Sequence, residues 1–313
     1  MWQNSILIFG KVNNYFKNIF ILSLLRNIYI CEVMKENFDT IYQETDIEIL
    51  IATMNKDSLD FLVAMFPFSH FSKFSILIIN QTQNEKLLIS DYPNIRVINS
   101  FEKGLSKSRN LALENAVKKI LVFADDDVVY QNDFVSKIIA AYNKFQHAIV
   151  INFCAINQKG TFLKKYPTDS KKQLNTFDVF NVASIEMTIN KEMLDSIGIQ
   201  FDENFGLGAS FEMGEEAVFL FDLKKKNQQI AFENQIIVAH ETLTSSDKKG
   251  MNERYYIYGA VFTRVLNNKY AYLLFAKMFF DLKQNKIKLS SLYKALKSAK
   301  QGRKKMESIY NGK

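Results

Sequence analysis

Three consecutive aspartates, Asp125, Asp126 and Asp127, close the apolar run Ile120-Leu121-Val122-Phe123-Ala124. An apolar run bounded by turn-formers reads as a buried strand of an α/β sheet. Ligands of open α/β sheets bind beyond the carboxyl ends of the strands. Carboxylates crowded there repel one another unless positive charge lies among them. A hard divalent cation bridging to a phosphate is the natural counter-charge, since Mg²⁺ is held by one or two carboxylates together with phosphate oxygens. A solvated turn is the plainer reading of any isolated triple aspartate. Its place directly after a strand is what points to chemistry.

Three further constellations stand out. Gly104-Leu105-Ser106-Lys107-Ser108-Arg109-Asn110 sets a glycine at a tight turn before a helix, whose free N–H groups and dipole favour an anion. Arg109 adds a charged donor suited to phosphate. The segment lacks the second spaced glycine of a Walker A loop and is not GxGxxG. Gly214-Glu215-Glu216 opens another helix. Paired carboxylates in a pocket raise each other's pKa, which suits a general base; acidic first-turn residues also simply favour the helix dipole. His240, one of three histidines, ends a strand, where an imidazole either completes a metal site with a carboxylate or serves structure alone.

The elements that must position these residues alternate. Strands are expected over 47–53, 76–79, 95–98 and 120–124, with helices over 58–66, 105–118 and 132–143. This alternation implies a doubly wound, mostly parallel sheet flanked by helices. Beyond residue 150 strands are expected over 148–155, 182–189 and 236–239, and helices over 193–197 and from 214 to about 226. Residues 1–45 read as an N-terminal helical extension, 46–252 as the α/β domain and 253–313 as a helical, basic C-terminal region.

The chain has 313 residues, 48% of them hydrophobic, enough for one large domain with appendages. Its two cysteines, Cys31 and Cys154, imply neither a disulfide framework nor a zinc site. The formal charge is +7, yet nine basic and no acidic residues lie between Lys283 and Lys305. The rest of the chain carries about −2, so the basicity belongs to the tail and a nucleic-acid partner is not expected. No 18-residue apolar run suggests a transmembrane helix. Ile19–Leu25 has the apolarity of a signal peptide, but Arg26 follows at once and no small-x-small cleavage site is evident. Leu289, Leu292, Tyr293 and Leu296 fall on one helical face near Lys294, Lys297 and Lys300, downstream of the aromatic Tyr270–Leu282 segment. A basic amphipathic segment of this kind suits an anionic membrane surface, or packs on the α/β domain with its lysines in water.

Taken in order, strand-TxN, strand-KGLSxSRN-helix, strand-DDD, GEE-helix and strand-His, roughly residues 46–245 resemble the family-2 inverting glycosyltransferases of the GT-A fold. The resemblance implies a sugar transferred from a nucleotide-diphosphate donor, a UDP-sugar foremost, to a hydroxyl of a glycan or lipid-linked glycan, as in bacterial surface polysaccharide synthesis. It implies a Mn²⁺ or Mg²⁺ cofactor held by Asp127 and His240, and donor binding by Thr53, Asn55, Gln81, Arg109, Asn110, Asp125 and Asp126. Glu216 takes the place of the family's catalytic Asp, with Glu215 beside it. The second strand ends in Asn80-Gln81 where the family commonly has an Asp that reads uracil. The expected location is cytoplasmic, and the charge of the tail, outside the resemblance, suits peripheral contact with the inner face of the membrane.

Competing readings fit less well. A sugar-nucleotide pyrophosphorylase would carry a Gly-rich, Arg-containing N-terminal loop. A phospho-acceptor signalling domain is shorter and has no use for Glu215, Glu216 or His240. A non-catalytic sugar-binding or membrane-surface protein would not need both DxD and a base.

Overall fold

The structure, a computed structural model, describes residues 41–83, 86–240 and 249–311. The expected N-terminal extension lies, up to residue 40, outside the described residues. A 3₁₀ turn, Glu44–Asp46, leads into the first strand.

Eight strands form one sheet among the described residues: β1 (Ile47–Met54), β2 (Ile76–Gln81), β3 (Ile95–Ser100), β4 (Ile120–Asp125), β5 (Val129–Tyr130), β6 (Ala148–Ile156), β7 (Met187–Asn190) and β8 (Gln229–Ala239), in the order β3-β2-β1-β4-β7-β6-β8-β5. The half β3-β2-β1-β4 is parallel, as its unbroken Ile, Leu and Val runs predict for strands buried on both faces. Across it the sheet is mixed: β7 runs antiparallel to β4 and β6, β6 and β8 are parallel, and β5 is antiparallel to β8. In the parallel half, Ala52 pairs with Asp125 and Thr53 with Asn80. That register sets the polar ends of β1, β2 and β4 level with one another.

The buried charge at the other end of β1 is structural. Glu48 is fully buried, yet Arg96 donates to Oε1 at 2.8 Å and the Val117 N–H to Oε2 at 2.7 Å. Both carboxylate oxygens are satisfied, as burial of a charge demands.

Helices cover the sheet: α1 (Phe61–Met65), α2 (Leu105–Asn115), α3 (Phe134–Lys144), α4 (Thr176–Val179), α5 (Lys191–Ile197) and α6 (Glu215–Lys225). α3 is amphipathic and turns Phe134, Ile138, Ala141 and Tyr142 inward. The strand expected over 182–189 divides: Ser184–Glu186 form a 3₁₀ turn, and only Met187–Asn190 pair in the sheet.

Three helices follow, α7 (Met251–Leu266), α8 (Tyr270–Lys283) and α9 (Leu292–Asn311). α9 crosses α7 on small residues. A Cβ added to Gly259 would fall 2.0 Å from the Ala299 carbonyl oxygen, and one added to Gly302 only 1.8 Å from that of Tyr256. The packed face of α9 is therefore Ala295, Ala299, Gly302 and Met306. Of the face read as suited either to an anionic membrane or to packing on the domain, Leu289, Tyr293 and Leu296 point outward, while Leu292 packs against the core. Arg264 of α7 clamps Asp222 of α6 through Nη1 at 3.0 Å and Nη2 at 2.6 Å, and reaches Asp202 through Nε at 2.8 Å. The Tyr310 hydroxyl of α9 donates to the same Asp202 at 2.7 Å. No helix among the described residues is long and apolar enough to cross a membrane.

Candidate active site

The site lies where the ends of β1, β2 and β4 meet the first turns of α2 and α6. Thr53 is the penultimate residue of β1, and its hydroxyl donates to Asp126. Lys56, three residues on, brings Nζ to 3.1 Å from the same carboxylate. Asn55 takes a left-handed backbone (φ 54°), a conformation asparagine tolerates better than most residues, and its N–H donates to the Gln81 carbonyl at 2.8 Å. Gln81 is buried, and its side-chain oxygen accepts the Gly104 N–H at 2.8 Å. Asn80 bridges the Lys56 backbone and Asn99. Gln81 thus orders the turn into α2, and Asn80 the loop after β1.

The SRN segment differs in role from the expected anion site. Backbone from the glycine-rich loop covers the first turn of α2: the Leu105 N–H donates to the Leu207 carbonyl at 2.9 Å, and Ser106 Oγ to that of Phe205 at 2.6 Å. Asn110 is buried and exchanges two hydrogen bonds with the Phe201 backbone, at 3.0 and 2.8 Å. Arg109 is only 3% exposed. Its Nη1 donates to Glu215 at 2.9 Å and lies 3.5 Å from Glu216; Nη2 donates to Ser184 Oγ at 2.6 Å and lies 3.7 Å from Asp125. The rings of Phe123 and Phe201 flank the guanidinium at 6.0 and 5.7 Å. Arg109 and Asn110 were expected to touch the donor. Both are spent on protein partners, because a buried charge or carboxamide must find its partners nearby.

Arg109 is instead the hub of an acid cluster. Burial opposes its charge, but Glu216, Glu215 and Asp125 more than offset that and hold its pKa above the ordinary value. Glu215 is buried, and its Oε2 has no partner. Burial first, and the neighbouring Glu216 second, push the Glu215 carboxyl up to about 7, against the pull of Arg109. Glu216 is more open, with 17% of its side chain exposed, and its Oε1 accepts the Ser184 N–H at 3.3 Å. The two acids start α6 from Gly214, which is left-handed (φ 93°), and a Cβ there would meet Val261 Cγ2 at 2.6 Å. Gly206 (φ 98°) lets the preceding loop pass close by: a Cβ there would sit 3.1 Å from Ser106 Oγ and 3.3 Å from Glu215 Cδ.

Asp127, just past β4, meets His240 at the end of β8, with Oδ1 and Nε2 3.2 Å apart. The His240 N–H donates to the Ile156 carbonyl at 2.9 Å, which fixes the end of β8 against β6. Among the described residues no group of three or more His, Cys, Asp or Glu side chains gathers as a cation cage. A carboxylate and an imidazole side by side fit a divalent ion that takes its other ligands from a diphosphate and water.

Two contributors had no separate sequence signal. Lys56 balances Asp126, and Ser184 ties the 3₁₀ turn to both Arg109 and Glu216. Beside that turn a cavity of about 250 Å³ is lined by residues that include Asn152, Lys164, Tyr166, Lys171, Glu186 and Phe232. None of the residues picked out from the sequence lines it.

Carboxylates at the strand ends of an open α/β sheet, joined to a buried acid pair on a facing helix, form a candidate site where such sheets bind their ligands. Residues 58–207 match the family described as Glycosyl transferase family 2, and the sheet and helices that carry the site have the GT-A fold. Among curated proteins no relative matches. The crystal structure of S. aureus TarS 1–349 is similar, with TM-score 0.52 and 14% identity over 86% of this chain and 92% of that one. The same fragment in complex with UDP-GlcNAc gives TM-score 0.54 at 14% identity and the same coverage. S. aureus TarS itself gives 0.53 at 14% identity, over 82% of this chain and 49% of that one.

Proposed function

We propose that the protein transfers a sugar from a nucleoside-diphosphate donor, a UDP-sugar foremost, to an acceptor hydroxyl with inversion at the anomeric carbon. The observation that carries this reading is the Arg109 guanidinium, which joins Asp125 at the end of β4 to both acids at the start of α6. It makes one site of the strand-end carboxylates and the acid pair. The S. aureus TarS fragment in complex with UDP-GlcNAc, a protein of the same fold, supports a nucleotide-sugar donor. The acceptor is a glycan or lipid-linked glycan of bacterial surface polysaccharide synthesis, the role the family resemblance implies.

In this mechanism Glu216 is the base. A proton retained on Glu215 relieves repulsion within the pair and leaves the more open Glu216 to take the acceptor's proton. The acceptor oxygen then forms its bond to the anomeric carbon as the bond to the diphosphate oxygen breaks on the opposite face. Arg109 and the Ser184 N–H hold Glu216 at its angle of approach. Thr53, Asn55 and Asp125 border the nucleoside, and Lys56 keeps Asp126 from adding repulsion next to the diphosphate. Asp127 and His240 would hold Mn²⁺ or Mg²⁺, whose chemistry is to neutralise charge on the departing diphosphate.

Calorimetric titration with UDP, with and without Mn²⁺, followed by a donor screen that reads released nucleoside diphosphate, tests this proposal. Binding that strengthens with Mn²⁺ in the wild type but not in Asp127→Ala is the expected result. Full activity in excess EDTA would remove the metal, and no turnover with any nucleotide sugar would remove the reaction.

A further inference from the structure

The C-terminal helices each present an outer face that the catalytic site does not use. On α8, Tyr272, Phe275 and Phe279 recur at three- and four-residue spacing and are 75%, 59% and 63% exposed. Phe280 beside them is also exposed. One apolar face of α8 already packs inward through Leu273, Leu274 and Met278, so these aromatics form a second, outward one. α9 repeats the arrangement. Tyr293, Leu296, Lys297, Lys300 and Lys304 share its outer face, opposite the Ala295, Ala299, Gly302 and Met306 face locked against α7. Lys283, the last residue of α8, and Lys286 and Lys288, in the segment joining the two helices, are exposed as well.

We infer that these outer faces of α8 and α9 dock on an anionic lipid–water interface. Two observations select a lipid surface. Large aromatic side chains are costly to leave in water but suit the headgroup region, where apolar rings and their polar edges are both accommodated. The cations that accompany them are in large excess: the nine basic residues from Lys283 to Lys305 have no acidic residue among them, though Arg303 pairs with Glu307 at 2.6 Å, and such clusters are drawn to anionic headgroups. α9 is held rigidly by its close crossing with α7, so its outer face is set in advance for such contact. The inference is independent of the catalytic reading, since none of these side chains contacts the acid cluster.

The test is co-sedimentation of the full chain with vesicles of phosphatidylglycerol and phosphatidylcholine, and with phosphatidylcholine alone. Wild type should bind the anionic vesicles, and binding should fade as salt rises from about 50 mM to 500 mM, where the Debye length shrinks to a few ångströms. Lys297→Gln with Lys300→Gln and Lys304→Gln should weaken binding roughly a hundredfold. Phe275→Ser with Phe279→Ser should weaken it about tenfold or more at any salt. Both variants replace exposed side chains and should keep wild-type donor turnover. Equal binding by wild type and either variant, or equal binding to neutral vesicles, would overturn the inference. So would a dimer in wild type that the Phe variant dissociates, because the aromatic face would then be covered by a second copy.

Discussion

At the scale of single residues, the site is governed by the partition of charge around Arg109. One buried cation faces three carboxylates; burial raises the pKa of Asp125 and pushes that of the least exposed, Glu215, up to about 7. Below pH 4.5 Glu215 is protonated in folded and unfolded chains alike. Between 4.5 and about 7 the folded chain keeps the proton that the unfolded chain releases. Folding takes up a proton there, so the stabilising contribution present at low pH is lost as pH rises through about 7. Glu215→Gln should remove that slope: urea denaturation at pH 5, 6, 7 and 8 should show the wild type losing stability relative to the variant. Parallel curves would mean that Glu215 ionises like an ordinary carboxyl. The residues themselves stood out in the sequence, as DDD, SRN, GEE and a strand-end His. The role of Arg109 did not, because its acid partners lie 106 and 107 positions away and only the fold brings them together. Lys56 and Ser184 were silent for the same reason.

Among the elements, the parallel strands were legible because strands buried on both faces must be apolar throughout. The misreadings have physical causes. Residues 182–189 alternate well enough for a strand, but Glu186 is held by Lys164 at 2.6 Å and by Tyr166, and the chain turns there. The first half of β8, Gln229 to Gln235, is too polar to announce itself, and β5 is only two residues long. In α9 the sequence left open whether the large side chains pack or face out, and only the close helix crossing, which selects alanine and glycine, decides it. The loop before α6 is the element on which the acid pair most depends. Gly206→Ala would strain a left-handed backbone and press on Glu215. Positions of this kind cost about 1–3 kcal/mol. The expected result is a lower melting temperature together with a loss of transfer larger than the loss of stability alone would give. A variant with wild-type kinetics would show that the loop does not set the position of Glu215.

The whole molecule joins two charge regimes. The catalytic part is close to neutral, and the basic excess sits on helices bound to it through Arg264, Asp222, Asp202 and Tyr310 and through the α7–α9 crossing. If that crossing locks the C-terminal helices in place, Gly302→Val should destabilise the protein by about 1–3 kcal/mol, the usual cost of overpacking. Thermal denaturation would register this as a fall of several degrees, and an unchanged midpoint would mean that α9 is loosely held. The central claim remains that one carboxylate, Glu216, takes the acceptor's proton in a sugar transfer. The most direct test measures donor affinity by calorimetry and transfer by released nucleoside diphosphate, in wild type and Glu216→Gln side by side. The account predicts unchanged donor affinity and transfer reduced by roughly 10²–10⁴-fold, the usual contribution of a general base. Undiminished transfer in Glu216→Gln, or an equal loss of binding and turnover, would contradict it.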